Sequence, residues 1–316
     1  MSVGAQRHQE LPGIRVNEQQ SSVASVGDHS RCPACGQPEH SGSTILRFDS
    51  ARGEASWVRC QHCRAYHLVG HYDASAEAGH TTSMPWGQLQ SGVQLNDFKK
   101  RMFAAALAGI RKHAPHAKTI LDVGCSFGGF LFEARQRGYT GSGIDIVPEA
   151  VEYVRGQGFD AETCESLSDC HLFSEQNPVD VLAVLDAHIY WPNQPAELAA
   201  AWKLIRPGGL LVMRVITKAH FVSAGLLIRS IAPKFGGRLL RRSVIDHRFC
   251  MPLKSLLKTI EGSGFHIESV VPRDAQHSDH SSLPVRSLFA VGDFTWKVLG
   301  CHVAPGAMIY ARKPVQ

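Results

Sequence analysis

The first clear periodicity in the chain begins at residue 95. In "LNDFKKRMFAAALAGIRKHA" the apolar residues Leu95, Phe98, Met102, Phe103, Ala106 and Ile110 recur at helical spacing, and Asn96 or Asp97 stands where an N-cap belongs. After Pro115 the pattern changes to short apolar runs separated by glycine turns and helical stretches. "TILDVG" reads as a buried strand, "GGFLFEARQRG" as a helix ending in glycine, "TGSGIDI" as a second strand, and "PEAVEYVRGQG" as a helix with proline at N1 and glycine past its end. "VDVLAVLDA" adds a strand, "PAELAAAWKLI" a helix and "GGLLVMRVI" a further strand. Alternation of this kind predicts an α/β fold, a mostly parallel sheet with helices on both faces. Upstream the pattern is weaker. Residues 1–28 are rich in Gln, Ser, Val and Gly without apolar periodicity and are expected to form a disordered tail. Residues 73–94, opening with "DASAEAGHTTSMPWGQ", read as a linker.

Composition narrows this picture only a little. The 316 residues suffice for one main domain plus an accessory module, and 44% apolar with 19% charged residues describes a globular protein. A formal charge of +5 over this length is too weak to argue for nucleic acid. The start, "MSVGAQRHQELPGIRV", has no apolar signal region, and no run approaches a membrane span, so a cytoplasmic location is expected.

The cysteines say more. Four of the nine stand in two close pairs, Cys32-x-x-Cys35 and Cys60-x-x-Cys63, and the odd remainder (Cys125, Cys164, Cys170, Cys250 and Cys301) is scattered. That fits a reducing compartment and a metal rather than disulfides. Two knuckles presenting four thiolates make a closed tetrahedral zinc site, structural in kind, within a zinc-ribbon-like module at residues 29–72. His62 and His67 lie close enough to replace a ligand, although four sulfurs already suffice.

"ILDVGCSFGGF" carries the most specific chemistry. Asp122, Gly124, Ser126 and Gly128 alternate where the first strand turns into a helix, and glycines there let a ligand approach the backbone. An acid two residues before the first glycine repels a pyrophosphate and suits a ligand bearing an ammonium group. The stretch resembles motif I of class I S-adenosylmethionine-dependent methyltransferases, with serine at position 126 where that family usually has its middle glycine. The resemblance spans roughly residues 95–316 and implies a Rossmann-like methyltransferase fold with S-adenosylmethionine as cofactor. It assigns the loop with Asp122, Gly124, Cys125, Ser126 and Gly128 to the methionine part. Asp145, ending the second strand 23 residues beyond Asp122, is assigned to the ribose hydroxyls, and Ile146 flanks the adenine. Cys164 and Glu165 fall where a loop closes over the adenine edge. The fourth strand's end, "VLDAHIYWP", and the turn "IRPGGLLVM" complete the match.

Methyl transfer to a hydroxyl needs proximity and a proton acceptor. The loop after the fourth strand offers Asp186, His188 and Tyr190, with His188 the first choice because imidazole titrates near neutral pH, and His247 the second. Residues 217–248 fall where such enzymes insert a substrate lid and are strongly basic. The expected activity is methyl transfer to a small molecule, an oxygen acceptor with an acidic group being favoured. RNA methylation using the basic lid and the zinc module is the alternative, and a non-catalytic binding protein retaining the fold is a third reading. A homodimer is allowed by either the sheet edge or the module.

Overall fold

The computed structural model describes residues 31–38, 43–50, 53–69, 95–244, 248–272, 283–299, 302, 304 and 306–315; the expected tail at 1–28, the expected linker at 73–94 and His247 lie outside the described residues. Three antiparallel strands come first, β1 (Ser43–Ser50), β2 (Gly53–Arg59) and β3 (Tyr66–Val69). Helix α1 (Asp97–His113) leads into the alternation β4 (Thr119–Val123), α2 (Gly129–Gln136), β5 (Thr140–Asp145), α3 (Pro148–Gly156), β6 (Asp160–Thr163), β7 (Val179–Leu185), α4 (Gln194–Leu204) and β8 (Ile205–Ile216). A helical hairpin, α5 (Ala219–Ile231) and α6 (Pro233–Val244), precedes β9 (Phe249–Cys250), α7 (Leu253–Gly262), β10 (His266–Val271), α8 (Leu283–Leu299) and β11 (Gly306–Arg312).

Seven strands form the main sheet in the order β10-β11-β8-β7-β4-β5-β6. The five from β8 to β6 run parallel, while β11 and β10 return antiparallel at one edge. The mostly parallel sheet expected from the alternation is present. The central strand β7 reads as a nearly unbroken apolar run because both of its faces are covered. On β7, Leu182 and Val184 pack with Leu198 and Ala201 of α4, whereas Val181, Ala183 and Leu185 pack with Met102, Phe103 and Ala106 of α1. The helix starts follow local chemistry: Asn96 Oδ1 accepts the Lys99 N–H at 2.8 Å, and Pro148 opens α3. "IRPGG" is not a separate turn. It is an irregularity inside β8, where the pairing with β7 slips between Ile205 and Leu210 and Gly208 takes φ +75°.

The second sheet joins parts that are far apart in the chain. Its order is β1-β2-β3-β9, so its fourth strand comes from beyond the α5–α6 hairpin, and the Leu68 N–H adds a bond to the Arg248 carbonyl at 3.0 Å. The cysteine module is therefore built into the main body. Cys32, Ala34, Cys60 and Ala65 share one core with Leu198, Ala201 and Phe249, and Gln194 donates from its N–H to the Pro33 carbonyl and from Nε2 to the Ala34 carbonyl. Among the described residues no helix is long and apolar enough to cross a membrane.

Candidate functional site

The carboxyl ends of β4, β5, β6 and β7 lie side by side, which is where an open parallel sheet binds its ligand. The loop after β4 is pinned to β5: the Gly124 and Cys125 N–H groups both donate to the Ile144 carbonyl, at 2.8 and 3.0 Å. Gly124 has φ +75°, and a Cβ there would come within 2.7 Å of the Ala187 Cβ, so both conformation and space demand glycine. Ser126 also lies in the left-handed region, at φ +48°. A serine there costs roughly 1–2 kcal/mol of backbone strain. Its N–H donates to Asp145 Oδ2 at 2.7 Å, and its buried hydroxyl has no hydrogen-bond partner among the described residues.

Asp145 ties the site together. Its Oδ1 accepts the Val147 N–H at 3.0 Å, its backbone carbonyl accepts the Cys164 N–H at 3.0 Å, and its carboxylate keeps lone pairs free for ligand hydroxyls. Burial pushes its pKa upward, opposed by the backbone N–H groups of Val147, Ser126 and Ile146. Asp122 is fully enclosed. Burial, reinforced by the nearby Asp145 charge, raises it to about 7, and Lys99 works in the opposite direction. A cationic ligand relieves this situation and an anionic one aggravates it.

Asp186 follows β7 with φ +74°, its N–H bonded to the Arg214 carbonyl. Burial raises its pKa, but the charges of Arg214 and Lys99 outweigh this and hold it below the usual carboxylate range. The Arg214 guanidinium pairs with Oδ1, and Lys99 Nζ lies 3.6 Å from Oδ2. His188 is buried, edge-on to the rings of Trp191 and Phe249. Burial drives its pKa down to about 4, Asp186 opposing and Arg214 reinforcing the shift, so the imidazole is neutral at physiological pH. Its Nδ1 has no hydrogen-bond partner among the described residues. Tyr190 is half-buried on the same turn.

Among the described residues the expected positions lie at the carboxyl ends of β4, β5, β6 and β7, with two refinements. Cys125 and Cys164 are buried thiols raised by burial and neighbouring acids, Cys164 to about 12, so neither is a nucleophile. Cys164 meets the site through its backbone. Glu165 is exposed. Lys99 and Arg214 were missed by sequence reasoning, although a lone arginine inside "LLVMRVI" is a visible signal, since a buried strand keeps a cation only opposite an acid.

The cysteine cluster forms as expected. The sulfurs of Cys32, Cys35, Cys60 and Cys63 all lie within 4.8 Å of one another, with Cys32 to Cys63 and Cys35 to Cys60 both at 3.8 Å. Four thiolates at about 2.3 Å from one tetrahedral ion would be about 3.8 Å apart. The donor set fits zinc.

Comparison with known proteins adds independent findings. Residues 92–270 match the profile of a methyltransferase domain family. A ubiquinone biosynthesis O-methyltransferase of Xylella fastidiosa (strain M23) is 28% identical over 185 residues, covering 56% of this chain and 68% of the relative. Its namesake from Alkalilimnicola ehrlichii is 26% identical over 161 residues, covering 48% and 60%. Among solved structures, a Haloferax volcanii methyltransferase complexed with the Trm112 activator aligns with a TM-score of 0.48 at 16% identity, over 77% of this chain and 96% of that one. An S-adenosylmethionine-dependent methyltransferase from Mesorhizobium loti gives 0.45 at 16%, over 67% and 99%.

Proposed function

Because the chain belongs to the methyltransferase-domain family and is a class I S-adenosylmethionine-dependent methyltransferase, we propose that it transfers the methyl group to a hydroxyl oxygen of a small molecule. The observation that carries the site assignment is the pairing of two enclosed acids, Asp122 and Asp145, with the loop that separates them. S-adenosylmethionine, when bound, supplies a methyl group activated on a sulfonium. The chain's own residues do the rest. Asp145 accepts the ribose hydroxyls, Ile146 lies against the adenine, and Asp122 faces the ammonium end of the methionine part. The unpartnered Ser126 hydroxyl takes a polar group of the cofactor, in keeping with its burial. Lys99 and Arg214 fix Asp186 at the mouth of β7, so that loop is rigid before substrate arrives. His188 Nδ1 is the atom assigned to receive the hydroxyl proton, as the imidazole is neutral and lacks a partner there.

Oxygen as the acceptor atom is supported by the printed activity of the curated relatives, which are O-methyltransferases. Zinc at Cys32, Cys35, Cys60 and Cys63 is read as structural, since four sulfurs leave no position for water or substrate.

Titration calorimetry of the metal-replete protein with S-adenosylmethionine and S-adenosylhomocysteine tests the cofactor reading. Asp145→Ala is expected to weaken both ligands about 10- to 100-fold, the loss of charge-assisted hydrogen bonds worth about 1.5–3 kcal/mol. Unchanged affinity in a folded variant removes Asp145 from the site.

A further inference from the structure

The lid hairpin has two unlike faces. On the inner side, Val222, Leu226 and Leu240 pack with Trp57 and Tyr66 of the cysteine module. Tyr66 and Ser223 share a hydroxyl hydrogen bond at 2.9 Å, and Arg229 donates to the Ile45 carbonyl at 3.2 Å. Gly236 lets the helices cross closely, because a Cβ there would lie 2.3 Å from the Arg229 backbone nitrogen. The hairpin is thereby held in one orientation by β1 and β3.

The outer side is apolar and bare. Leu227, Ile231 and Phe235 recur every four residues through the junction of α5 and α6 and are 68%, 82% and 62% exposed. Three large side chains this open to water, clustered around one helix junction, suit an interaction surface. The charge beside them states which kind. Between Glu197 and Asp246 the chain has no acidic residue, while residues 218–242 carry Lys218, Arg229, Lys234, Arg238, Arg241 and Arg242. Lys234 and Arg238 are exposed near Phe235 in the chain.

Val291, Phe294 and Val298 of α8 are also exposed, and the end of that helix meets the start of α5. Trp296 of α8 has its ring 6.0 Å from that of His302, which lies 6.0 Å from that of His220 at the start of α5. His302 Nδ1 is hydrogen-bonded to Thr217, immediately after β8, at 3.0 Å. Both apolar helices therefore flank the carboxyl end of β8, beside the candidate site.

Apolar side chains interleaved with cations and no acids match the interface between acyl chains and anionic headgroups. A nucleic acid would engage the cations but leave the aliphatic line in water. A second copy meeting this face about a twofold axis would set cation against cation. We propose that the outer face of the α5–α6 hairpin docks on an anionic phospholipid bilayer, with Leu227, Ile231 and Phe235 entering the acyl boundary and Lys234 and Arg238 meeting headgroup phosphates. This docking is independent of the acceptor atom, and its test does not use turnover.

The full-length, metal-replete protein is sedimented with vesicles of phosphatidylglycerol and phosphatidylcholine, and with vesicles of phosphatidylcholine alone. Binding to the anionic vesicles is expected, at least tenfold stronger than to the neutral ones and weakening with salt. The triple variant Leu227→Ser, Ile231→Ser, Phe235→Ser is expected to lose at least tenfold in partitioning, as is Lys234→Glu, Arg238→Glu, while both keep the wild-type circular dichroism and melting temperature. No vesicle binding, or equal binding by the folded triple variant, overturns the proposal. So does tight binding of single-stranded RNA that the charge variant abolishes and the serine variant keeps, or a dimer that the serine variant dissociates.

Discussion

Asp122 combines full enclosure with a neighbouring acid, and its pKa of about 7 makes it the site's most pH-sensitive group. A cationic ligand favours the ionised form, so affinity for S-adenosylmethionine is expected to rise as pH increases through 7. Asp122→Asn should flatten that dependence in calorimetric titrations between pH 6 and 8. The stability sign is opposite. In the unfolded chain the carboxyl has its ordinary lower pKa, so between that value and about 7 the native state holds the extra proton, and raising the pH costs stability. Relative to Asp122→Asn, the wild type should lose up to about 1.4 kcal/mol per pH unit over this window, read from denaturant midpoints. For His188 the pKa lies below the ordinary value, so it stays neutral and flat across pH 6–9. His188→Gln is expected to lower kcat about 10²-fold or more without changing S-adenosylhomocysteine affinity. A kcat within a few-fold of wild type would reduce His188 to a packing residue between Trp191 and Phe249. Asp122, Asp145 and the glycine loop stood out in the sequence by their spacing, and the family resemblance supplied the roles expected of them. The pairing of Asp186 with Lys99 and Arg214 was not legible there, since residues on α1, on the loop after β7 and on β8 meet only after the sheet assembles.

Among the elements, β9 is the least conspicuous and the most connected. Two residues have no periodicity to read, yet Phe249 and Cys250 pair with His67 and Tyr66 of β3. The Arg248 N–H donates to the Ile189 carbonyl, next to His188. One continuous path of backbone hydrogen bonds therefore runs from the cysteine module to the loop at the mouth of β7. Removing the metal should loosen that loop. In Cys60→Ser, or after chelation, hydrogen exchange is expected to quicken at residues 186–191 as well as within the module. Protection unchanged at 186–191 would mean that the module is an independent attachment. The hairpin can be tested at its crossing. Gly236→Ala places a methyl against the Arg229 backbone and should cost about 1–3 kcal/mol in thermal or denaturant unfolding.

For the molecule as a whole, the shared core makes a thermodynamic prediction. Cys32, Ala34, Cys60 and Ala65 are buried against α4 and β9 rather than against a core of their own. Calorimetric unfolding of the metal-replete protein should accordingly show one transition for module and main sheet together, and two separated transitions would contradict the common core. Local sequence was sufficient for the α/β alternation, the helix ends, the glycine loop after β4 and the two cysteine knuckles. Each of these is written in short-range signals: a cap, a glycine at positive φ, an acid at a strand end, a pair of thiols two residues apart. Only the tertiary structure decided that the strand after the α5–α6 hairpin completes the module's sheet, that Lys99 and Arg214 hold Asp186, and that the basic hairpin turns apolar side chains outward. Those outcomes depend on contacts between segments many tens of residues apart. Burial and charge there are properties of the assembled surfaces, which no window of sequence contains.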